Sequence, residues 1–328
     1  MEGARHHECK RRRCPDILVV IVGPTAVGKT DVSIEVAARL GGEVVSCDSM
    51  QVYRYMDIGT AKPGPSERAR VPHHLIDVVD PGEAFNVARF QELAQAAIDD
   101  IAARGRIPLL VGGTGLYVRA VVDGFLFPWE GASPELRKKL EDEAATQGAS
   151  ALHARLAEVD PVAARRIHPN DARRIIRALE VYATTGRPIS EMWRKAGEGK
   201  MRVDRLVMLG LVRDREALYE RIERRCDAMV REGLVEETSR LLERGYERAL
   251  TARQALGYKE IVEHLRGRWS LDEAVAAIKR NTRRYAKRQL TWFRADPRIE
   301  WIDMGTPHSV SEAATCVLAL VKGKLAAM

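Results

Sequence analysis

The chain has 328 residues, of which 45% are hydrophobic and 30% are charged, enough to bury one large core and a smaller satellite domain. No run of about eighteen apolar residues occurs, so no membrane-spanning segment is predicted. The N-terminus has no apolar segment of the signal-peptide type, and we therefore expect a cytoplasmic protein. The five cysteines include no C-x-x-C pair, which favours reduced, separate thiols over a disulfide scaffold.

The formal net charge of +7 is unevenly distributed along the chain. At the N-terminus, His6 and His7 precede the basic cluster Lys10–Arg13. Residues 1–15 are predicted to form a disordered basic tail, and a basic arm that binds nucleic acid is the alternative.

A glycine-rich motif lies between a predicted strand and a predicted helix. Gly23–Thr30 reads GPTAVGKT, follows the apolar run Ile17–Val22 and precedes the helix-like run Asp31–Leu40. In this context the pattern predicts a phosphate-binding loop, because backbone N–H groups and a helix N-terminus face one anion. Lys29 adds a full positive charge, and the Thr30 hydroxyl can reach a Mg²⁺ ion on the phosphates. The residues predicted to bind a diphosphate or a nucleotide are Gly23, Pro24, Thr25, Ala26, Val27, Gly28, Lys29 and Thr30.

Strand and helix patterns alternate along most of the chain. Apolar strands are predicted at 43–47, 107–111 and 205–212, and helical periodicity follows at 85–103. The predicted fold class is therefore α/β: a P-loop NTPase-like parallel sheet flanked by helices, with an inserted all-helical domain. The predicted boundaries are 16–128 and 202–328 for the catalytic core, 129–201 for the insertion, 299–302 for an edge strand and 271–294 for a closing helix.

The segment Asp48–Tyr53 follows a predicted strand and reads DSMQVY. Ligands of open parallel sheets lie at the carboxyl ends of the strands, so Asp48 is expected beside the phosphate loop. Its carboxylate could bind magnesium, cap a helix or act as a general base, and the sequence leaves these three roles open. The paired His73 and His74 have no visible partner at ligand spacing, which favours a structural role.

The next buried strand ends in Gly112-Gly113-Thr114. Many phosphate-loop enzymes place a metal-binding aspartate at this position. Glycine instead brings the backbone close to a bound group without adding charge. This difference predicts that Asp48 acts on something other than the usual ATP-bound metal, although Thr114 can equally belong to a plain strand-to-helix turn.

Two later regions are strongly basic. Between Arg165 and Arg205 the basic residues outnumber the acidic ones by six, which is more than a mixed solvated face would show. In the helix 271–294, seven cations of the second half are interleaved with Tyr285, Trp292 and Phe293 and with no acid. This pattern predicts a nucleic-acid backbone alongside and aromatic rings that stack on unpaired bases. The seven cations are Lys279, Arg280, Arg283, Arg284, Lys287, Arg288 and Arg294.

Arg221 and Arg225 lie four residues apart, on one face of a predicted helix that Asp214 caps. Either guanidinium could reach the phosphates, and a surface salt bridge is the alternative.

Taken together, these motifs resemble the tRNA dimethylallyltransferase family, also called tRNA isopentenyltransferases. The resemblance rests on GPTAVGKT, DSMQVY, GTAKP, HHLID, LLVGGTGLY, HPNDARRIIRALEV and YAKRQLTWFR, which occur in the family's order from about Ile17 to Ile302. It implies transfer of a dimethylallyl group from dimethylallyl diphosphate to N6 of the adenosine immediately 3′ of a tRNA anticodon.

The resemblance also implies roles for individual residues. Asp48 would accept the N6 proton, Thr25 and Thr114 would line the reaction channel, and Lys29, Thr30 and Arg225 would contact the diphosphate. The catalytic set is thus Asp48, Thr25 and Arg225, with Thr30 as the metal ligand for Mg²⁺. The implied tRNA-binding residues are Asp48, Ser49, Met50, Gln51, Tyr53, Thr114, Arg137, Arg173, Arg174, Arg177, Arg253, Gly257, Tyr258, Lys287, Arg288, Gln289, Trp292 and Arg294.

The expected partners are the tRNA anticodon stem-loop, bound in part by the helical insertion, and dimethylallyl diphosphate. We expect no membrane association and a monomer. A small-molecule kinase and a prenyltransferase of free adenine nucleotides are the rival classes. Neither class explains a basic helical insertion together with a basic closing helix.

Overall fold

The structure, a computed structural model, describes residues 17–124, 133–195, 205–246, 251–305 and 309–326. The predicted tail at 1–15 lies outside the described residues. Within them, no helix is both long and apolar enough to cross a bilayer.

The core is a six-stranded parallel sheet in the order β3-β2-β4-β1-β5-β6. All six residues of its central strand, Ile17–Val22, are buried, as the continuous apolar run requires of a strand covered on both faces. The central strand pairs with β4 and β5, which places Val22 opposite Gly112 and Gly210. The predicted α/β sheet is confirmed, and so is the last strand as its edge. The strands are β1 Ile17–Val22, β2 Glu43–Ser46, β3 His73–His74, β4 Pro108–Gly112, β5 Arg205–Val212 and β6 Ile299–Asp303.

Fourteen helices are present in the described residues. Asp214 caps α10 as predicted, accepting bonds from Glu216 N (2.8 Å) and Ala217 N (3.2 Å). The closing helix α13 has the predicted bounds, and Ser270 with Glu273 forms a capping box at its start. The helices are α1 Lys29–Leu40, α2 Pro65–Arg70, α3 Val87–Ala103, α4 Gly115–Asp123, α5 Pro134–Gln147, α6 Ala149–Val159, α7 Pro161–Arg166, α8 Ala172–Thr185, α9 Ile189–Lys195, α10 Arg215–Arg231, α11 Leu234–Glu243, α12 Tyr258–Leu265, α13 Leu271–Arg294 and α14 Val310–Ala326.

Sequence patterns did not predict α2, α4, α9, α11 or α12. Residues 252–258 hold a short 3₁₀ turn at Ala252–Gln254 and then the start of α12 at Tyr258. The Glu260 carboxylate accepts a hydrogen bond from Gly257 N (2.9 Å) and so caps the start of this helix.

The chain divides into two compact units, one of Met1–Val118 with Arg202–Met328 and one of Arg119–Met201. The second unit thus begins before the predicted boundary at 129 and includes part of α4. Its described residues form helices around an apolar core of its own, which contains Leu140, Leu156 and Ile175.

Candidate active site

The phosphate loop connects β1 to α1 through strained backbone. Gly23 and Gly28 adopt φ of 148° and 109°, and a Cβ on Gly23 would come within 2.6 Å of the Leu211 carbonyl oxygen. Ala26 also has a positive φ, 64°, which costs a non-glycine residue of order 1 kcal/mol and is typical of functional loops. The Lys29 ammonium donates to the carbonyls of Gly23 (3.0 Å) and Pro24 (2.7 Å). The loop therefore curls around the ammonium at the N-terminus of α1.

Asp48 lies in the same cleft as Lys29 and Thr30, as its place at the carboxyl end of β2 predicted. One carboxylate oxygen, Oδ1, accepts hydrogen bonds from the backbone N–H groups of Met50 (2.8 Å) and Gln51 (3.3 Å). Among the described residues, no hydrogen bond or ion pair reaches the other oxygen, Oδ2. One oxygen thus fixes the orientation of the carboxylate by closing a turn, not by capping a helix, and leaves the second available for chemistry.

The glycine at the end of β4 is required by close backbone packing. A Cβ on Gly112 would overlap the carbonyl group of Cys47, so an aspartate cannot occupy this position without moving β2. The next residues brace the acid: Thr114 Oγ1 accepts from Ser49 N (3.2 Å) and Thr114 N donates to Cys47 O (3.3 Å). Thr114 therefore holds both sides of the turn that presents Asp48.

The two arginines of α10 separate into different roles. Arg225 lines the cleft, and its Nη2 donates to Thr60 O at 3.4 Å. Arg221 instead donates from Nε to Ala26 O at 2.9 Å, on the backbone of the phosphate loop. The structure thus directs Arg225 to the ligand space and gives Arg221 a supporting contact behind the loop.

The cleft concentrates positive charge away from water. The pKa of Lys29 is lowered from 10.5 to about 7, chiefly by burial and also by the Arg225 charge, with Asp48 acting in the opposite direction. Burial likewise lowers the pKa of Arg225, and Asp48 again opposes the shift. Two desolvated cations facing one carboxylate form a site that favours a polyanion.

Gln51 and Tyr53 hold the cleft wall together. The Gln51 amide donates to the carbonyls of Thr60 and Ala61, both at 3.3 Å, and accepts from Ser46 Oγ at 3.0 Å. Tyr53 is fully buried. Both side chains therefore have structural contacts, and their predicted contact with RNA stays a prediction.

Helix α13 contributes Gln289 and Tyr285 to the cleft. Gln289 accepts from Thr25 N (2.9 Å) and donates to Gly113 O (3.0 Å), so it joins the phosphate loop to the end of β4. Tyr285 was expected only as an RNA-stacking ring. Burial raises its pKa, with a further contribution from the Asp48 charge, so the phenol stays protonated close to the predicted base.

The cations of α13 are not all available to an RNA backbone, which corrects the sequence interpretation. Lys279 pairs with Asp227 (2.7 Å) and Arg283 pairs with Glu223, both acids of the neighbouring helix α10. Phe293 is buried, so only Trp292 among the predicted stacking rings is substantially exposed, at 38%. The exposed cations are Arg280, Arg284, Lys287, Arg288 and Arg294.

In the helical unit, a buried carboxylate joins two predicted RNA contacts. Glu180, with 0% exposure, pairs through Oε2 with Arg137 (2.7 Å) and Arg177 (2.8 Å). Arg173 and Arg174 are exposed at the start of α8. These four arginines lie on one unit as predicted, and their binding of tRNA stays a prediction.

The remaining predicted RNA contacts fall around α12. Arg253 is exposed, Gly257 has φ of 93° and Tyr258 is buried with its hydroxyl donating to Glu237 at 2.5 Å. No sequence pattern predicted Glu237.

His73 and His74 bond to Val71 O (2.7 Å) and Glu43 (2.7 Å), consistent with the structural role expected of them.

The fold and the cleft define a phosphate-loop α/β protein in which a carboxylate shares one cleft with two cationic side chains. The sequence profile of the IPP transferase family matches residues 51–296, and that of the isopentenyl transferases matches residues 16–76. The chain belongs to the IPP transferase family.

Individual relatives agree with this assignment. The chain is 58% identical to the tRNA dimethylallyltransferase of Desulforudis audaxviator, over 88% of this chain and 93% of the relative. It is 54% identical to the tRNA dimethylallyltransferase of Symbiobacterium thermophilum, over 94% of this chain and 95% of the relative. Among solved structures, the tRNA isopentenylpyrophosphate transferase of Bacillus halodurans has a TM-score of 0.70 at 48% identity, covering 94% of this chain and 98% of that one. A eukaryotic dimethylallyltransferase acting on tRNA has a TM-score of 0.79 at 30% identity, covering 94% and 79%.

Proposed function

We propose that the protein transfers a dimethylallyl group from dimethylallyl diphosphate to N6 of the adenosine immediately 3′ of a tRNA anticodon, releasing diphosphate. The observation that carries this proposal is the single cleft shared by Asp48, Lys29 and Arg225. An acid positioned opposite two desolvated cations suits a reaction in which a proton leaves the acceptor while a polyanion leaves the donor.

The acceptor step needs the acid. The lone pair of an adenine amine is delocalised into the ring, so the amine attacks weakly until its proton is taken up. As the N6–carbon bond forms, the proton passes to Asp48 Oδ2, and the carbon–oxygen bond to diphosphate breaks. The hydrogen bonds to Oδ1 from Met50 and Gln51 hold the carboxylate in one orientation throughout.

The donor step needs the cations. Diphosphate leaves an allylic carbon readily once its charge is neutralised, and Lys29 and Arg225 supply that neutralisation together with the loop N–H groups. Mg²⁺ would be held by Thr30 and the diphosphate itself, and it would add further charge neutralisation. The chemistry of the lining suits this ion, because the Thr30 and Ser33 hydroxyls and the Asp48 carboxylate offer hard oxygen donors in one cleft.

The RNA must present its base outside the stack to reach the cleft, which encloses about 620 Å³ with its solvent-open mouth included. Extrusion costs a few kcal/mol in a duplex and less in a loop, so an anticodon loop is a suitable substrate.

The decisive assay offers labelled dimethylallyl diphosphate with tRNA, AMP and ATP in parallel. Label in tRNA alone is expected, at the adenosine 3′ of the anticodon. Label in AMP or ATP would instead assign a prenyltransferase of free nucleotides, and phosphoryl transfer from ATP without prenylation would assign a kinase.

Asp48→Asn tests the base. The amide oxygen still accepts from Met50 N and Gln51 N, so the turn is kept, yet the group cannot take a proton. We expect turnover to fall by at least about a hundredfold with tRNA affinity nearly unchanged. Asp272→Asn, at an exposed position in the first turn of α13, is the matched control. Near-normal turnover of Asp48→Asn would remove Asp48 as the base.

A further inference from the structure

A second cavity lies in the phosphate-loop unit, outside the cleft. It encloses about 380 Å³ with its open mouth included, and Tyr55, Asp57, Glu237, Arg240, Leu241 and Arg244 line it. Its two walls come from the segment after β2 and from α11. The same segment continues into Thr60 and Ala61, which line the cleft, so one short loop separates the two spaces.

Tyr55 combines a strained backbone with an exposed ring. Its φ of 67° lies in the left-handed region, which a residue with a side chain adopts at a cost in free energy. The ring is nevertheless 45% exposed, so core packing does not offset this cost. The Arg244 guanidinium lies over the ring at 4.1 Å from its centroid. A strained, exposed aromatic residue that carries a stacked cation is a common feature of a binding surface.

The acids of this cavity already have partners of their own. Glu237 accepts from Asp57 N (3.1 Å), Gly59 N (3.2 Å) and the Tyr258 hydroxyl (2.5 Å). The Asp57 carboxylate pairs with the Lys62 ammonium at 2.5 Å.

The two cations of the cavity lack such partners. Arg240, on α11, and Arg244, directly after the last residue of α11, are both exposed, and within the described parts of the chain neither has a carboxylate partner. The cavity thus offers two uncompensated guanidinium groups and one aromatic face.

We propose that this cavity binds a nucleotide of the tRNA substrate other than the one that reacts. The base stacks on the Tyr55–Arg244 pair, and Arg240 contacts the adjoining phosphate. Stacking on an aromatic side chain tolerates any base, and guanidinium groups suit phosphate, so the pair recognises an unpaired RNA segment by shape and charge. This inference rests on the proposed function, because it assumes that the bound RNA extends from the cleft past the loop 57–61.

Tyr55→Gly separates binding from folding, because glycine adopts a positive φ without strain. We expect the melting temperature to stay level or rise, while the dissociation constant for full-length tRNA and the KM for tRNA both increase about tenfold. The KM for dimethylallyl diphosphate should not change. Tyr55→Phe keeps the ring and should bind tRNA as the unmodified protein does. Arg240→Gln should weaken binding and reduce its salt dependence, whereas Arg231→Gln, at an exposed arginine of α10, is the control of equal charge change.

The outcomes distinguish this inference from the proposed function. If the unmodified protein transfers no label to tRNA, the proposed function fails. If it does transfer label, then normal tRNA affinity in Tyr55→Gly overturns the nucleotide subsite. A lowered melting temperature in Tyr55→Gly with tRNA affinity kept would also overturn it, since Tyr55 would then be a packing residue only. Binding of an acidic peptide that Tyr55→Gly abolishes, with no effect of Tyr55→Gly on RNA binding, would assign the surface to a protein partner and equally refute the proposal.

Discussion

Gln289 joins helix α13 to the phosphate loop. Replacing it should weaken donor binding by more than the loss of folding stability alone would explain. Its side chain is 6% exposed and makes two hydrogen bonds, one from Thr25 N and one to Gly113 O. In Gln289→Leu both backbone groups lose their partner. Leaving the buried Gly113 O without a donor costs the larger amount of free energy, about 1–3 kcal/mol. Thr25 N borders the open cleft, so a water molecule can replace part of its lost hydrogen bond.

The expected loss is therefore about 2–3 kcal/mol of unfolding free energy, which lowers the melting temperature by roughly 2–4 °C per kcal/mol in a domain of this size. Because the loop must then be ordered by the ligand, the KM for dimethylallyl diphosphate should rise about tenfold, equivalent to about 1.4 kcal/mol. The exposed Gln147→Leu, at the end of α5, is the control for adding an apolar side chain.

Gln289→Glu provides a readout that a packing role would not give. The new carboxyl group can donate to Gly113 O only when it is protonated, so burial and this hydrogen bond raise its pKa. The group binds a proton more readily in the folded state, and the variant should therefore gain stability and donor affinity as pH falls towards 5. Thermal denaturation and donor KM measured across pH 5–8 test this. A pH-independent variant, or a Gln289→Leu protein with unchanged melting temperature and donor KM, would refute the reasoning.

Three further outcomes follow from the charges and packing of the site. Because the pKa of Lys29 is lowered to about 7, the ammonium loses its proton above that pH, and diphosphate affinity should fall from pH 7 to 9. Diphosphate binding should then be accompanied by proton uptake, which calorimetry in buffers of different ionisation enthalpy measures. Binding without proton uptake would contradict this. Arg284→Gln with Arg288→Gln should weaken tRNA binding and reduce its log–log salt slope by roughly 1.5, whereas Arg283→Gln, which breaks a pair with an acid of α10, should leave the slope nearly unchanged. Gly112→Ala should cost about 3 kcal/mol or more, because its Cβ overlaps the backbone that follows β2, and a soluble protein of normal melting temperature would show that β2 can move.

The sequence predicted those features whose causes are local. The phosphate loop, the cap at Asp214 and the bounds of α13 all depend on residues within a few positions of one another. Asp48 was placed beside the loop by a topological rule for parallel sheets, which holds wherever the strand order is right.

The sequence did not predict contacts between residues that lie far apart in the chain. Glu237 fixes the loop 57–59 from 178–180 positions away, and no pattern in either segment indicates the pairing. The same is true of Asp227 and Glu223, which neutralise two cations that a one-helix charge count left unpaired. Arg221 and Arg225 share a helix face, so only the tertiary structure separates the supporting contact from the ligand contact.

Helix α13 explains why charge counting alone assigned some of its residues incorrectly. Side chains four apart lie on one face, so Tyr285 and Gln289 turn together towards the cleft. Arg284 and Arg288, each one position earlier, turn together towards solvent. The 3.6-residue repeat thus sorts one polar sequence into an inward set that shapes the active site and an outward set available to RNA. A substitution on the inward set should therefore change donor kinetics, and one on the outward set should change only the affinity for tRNA.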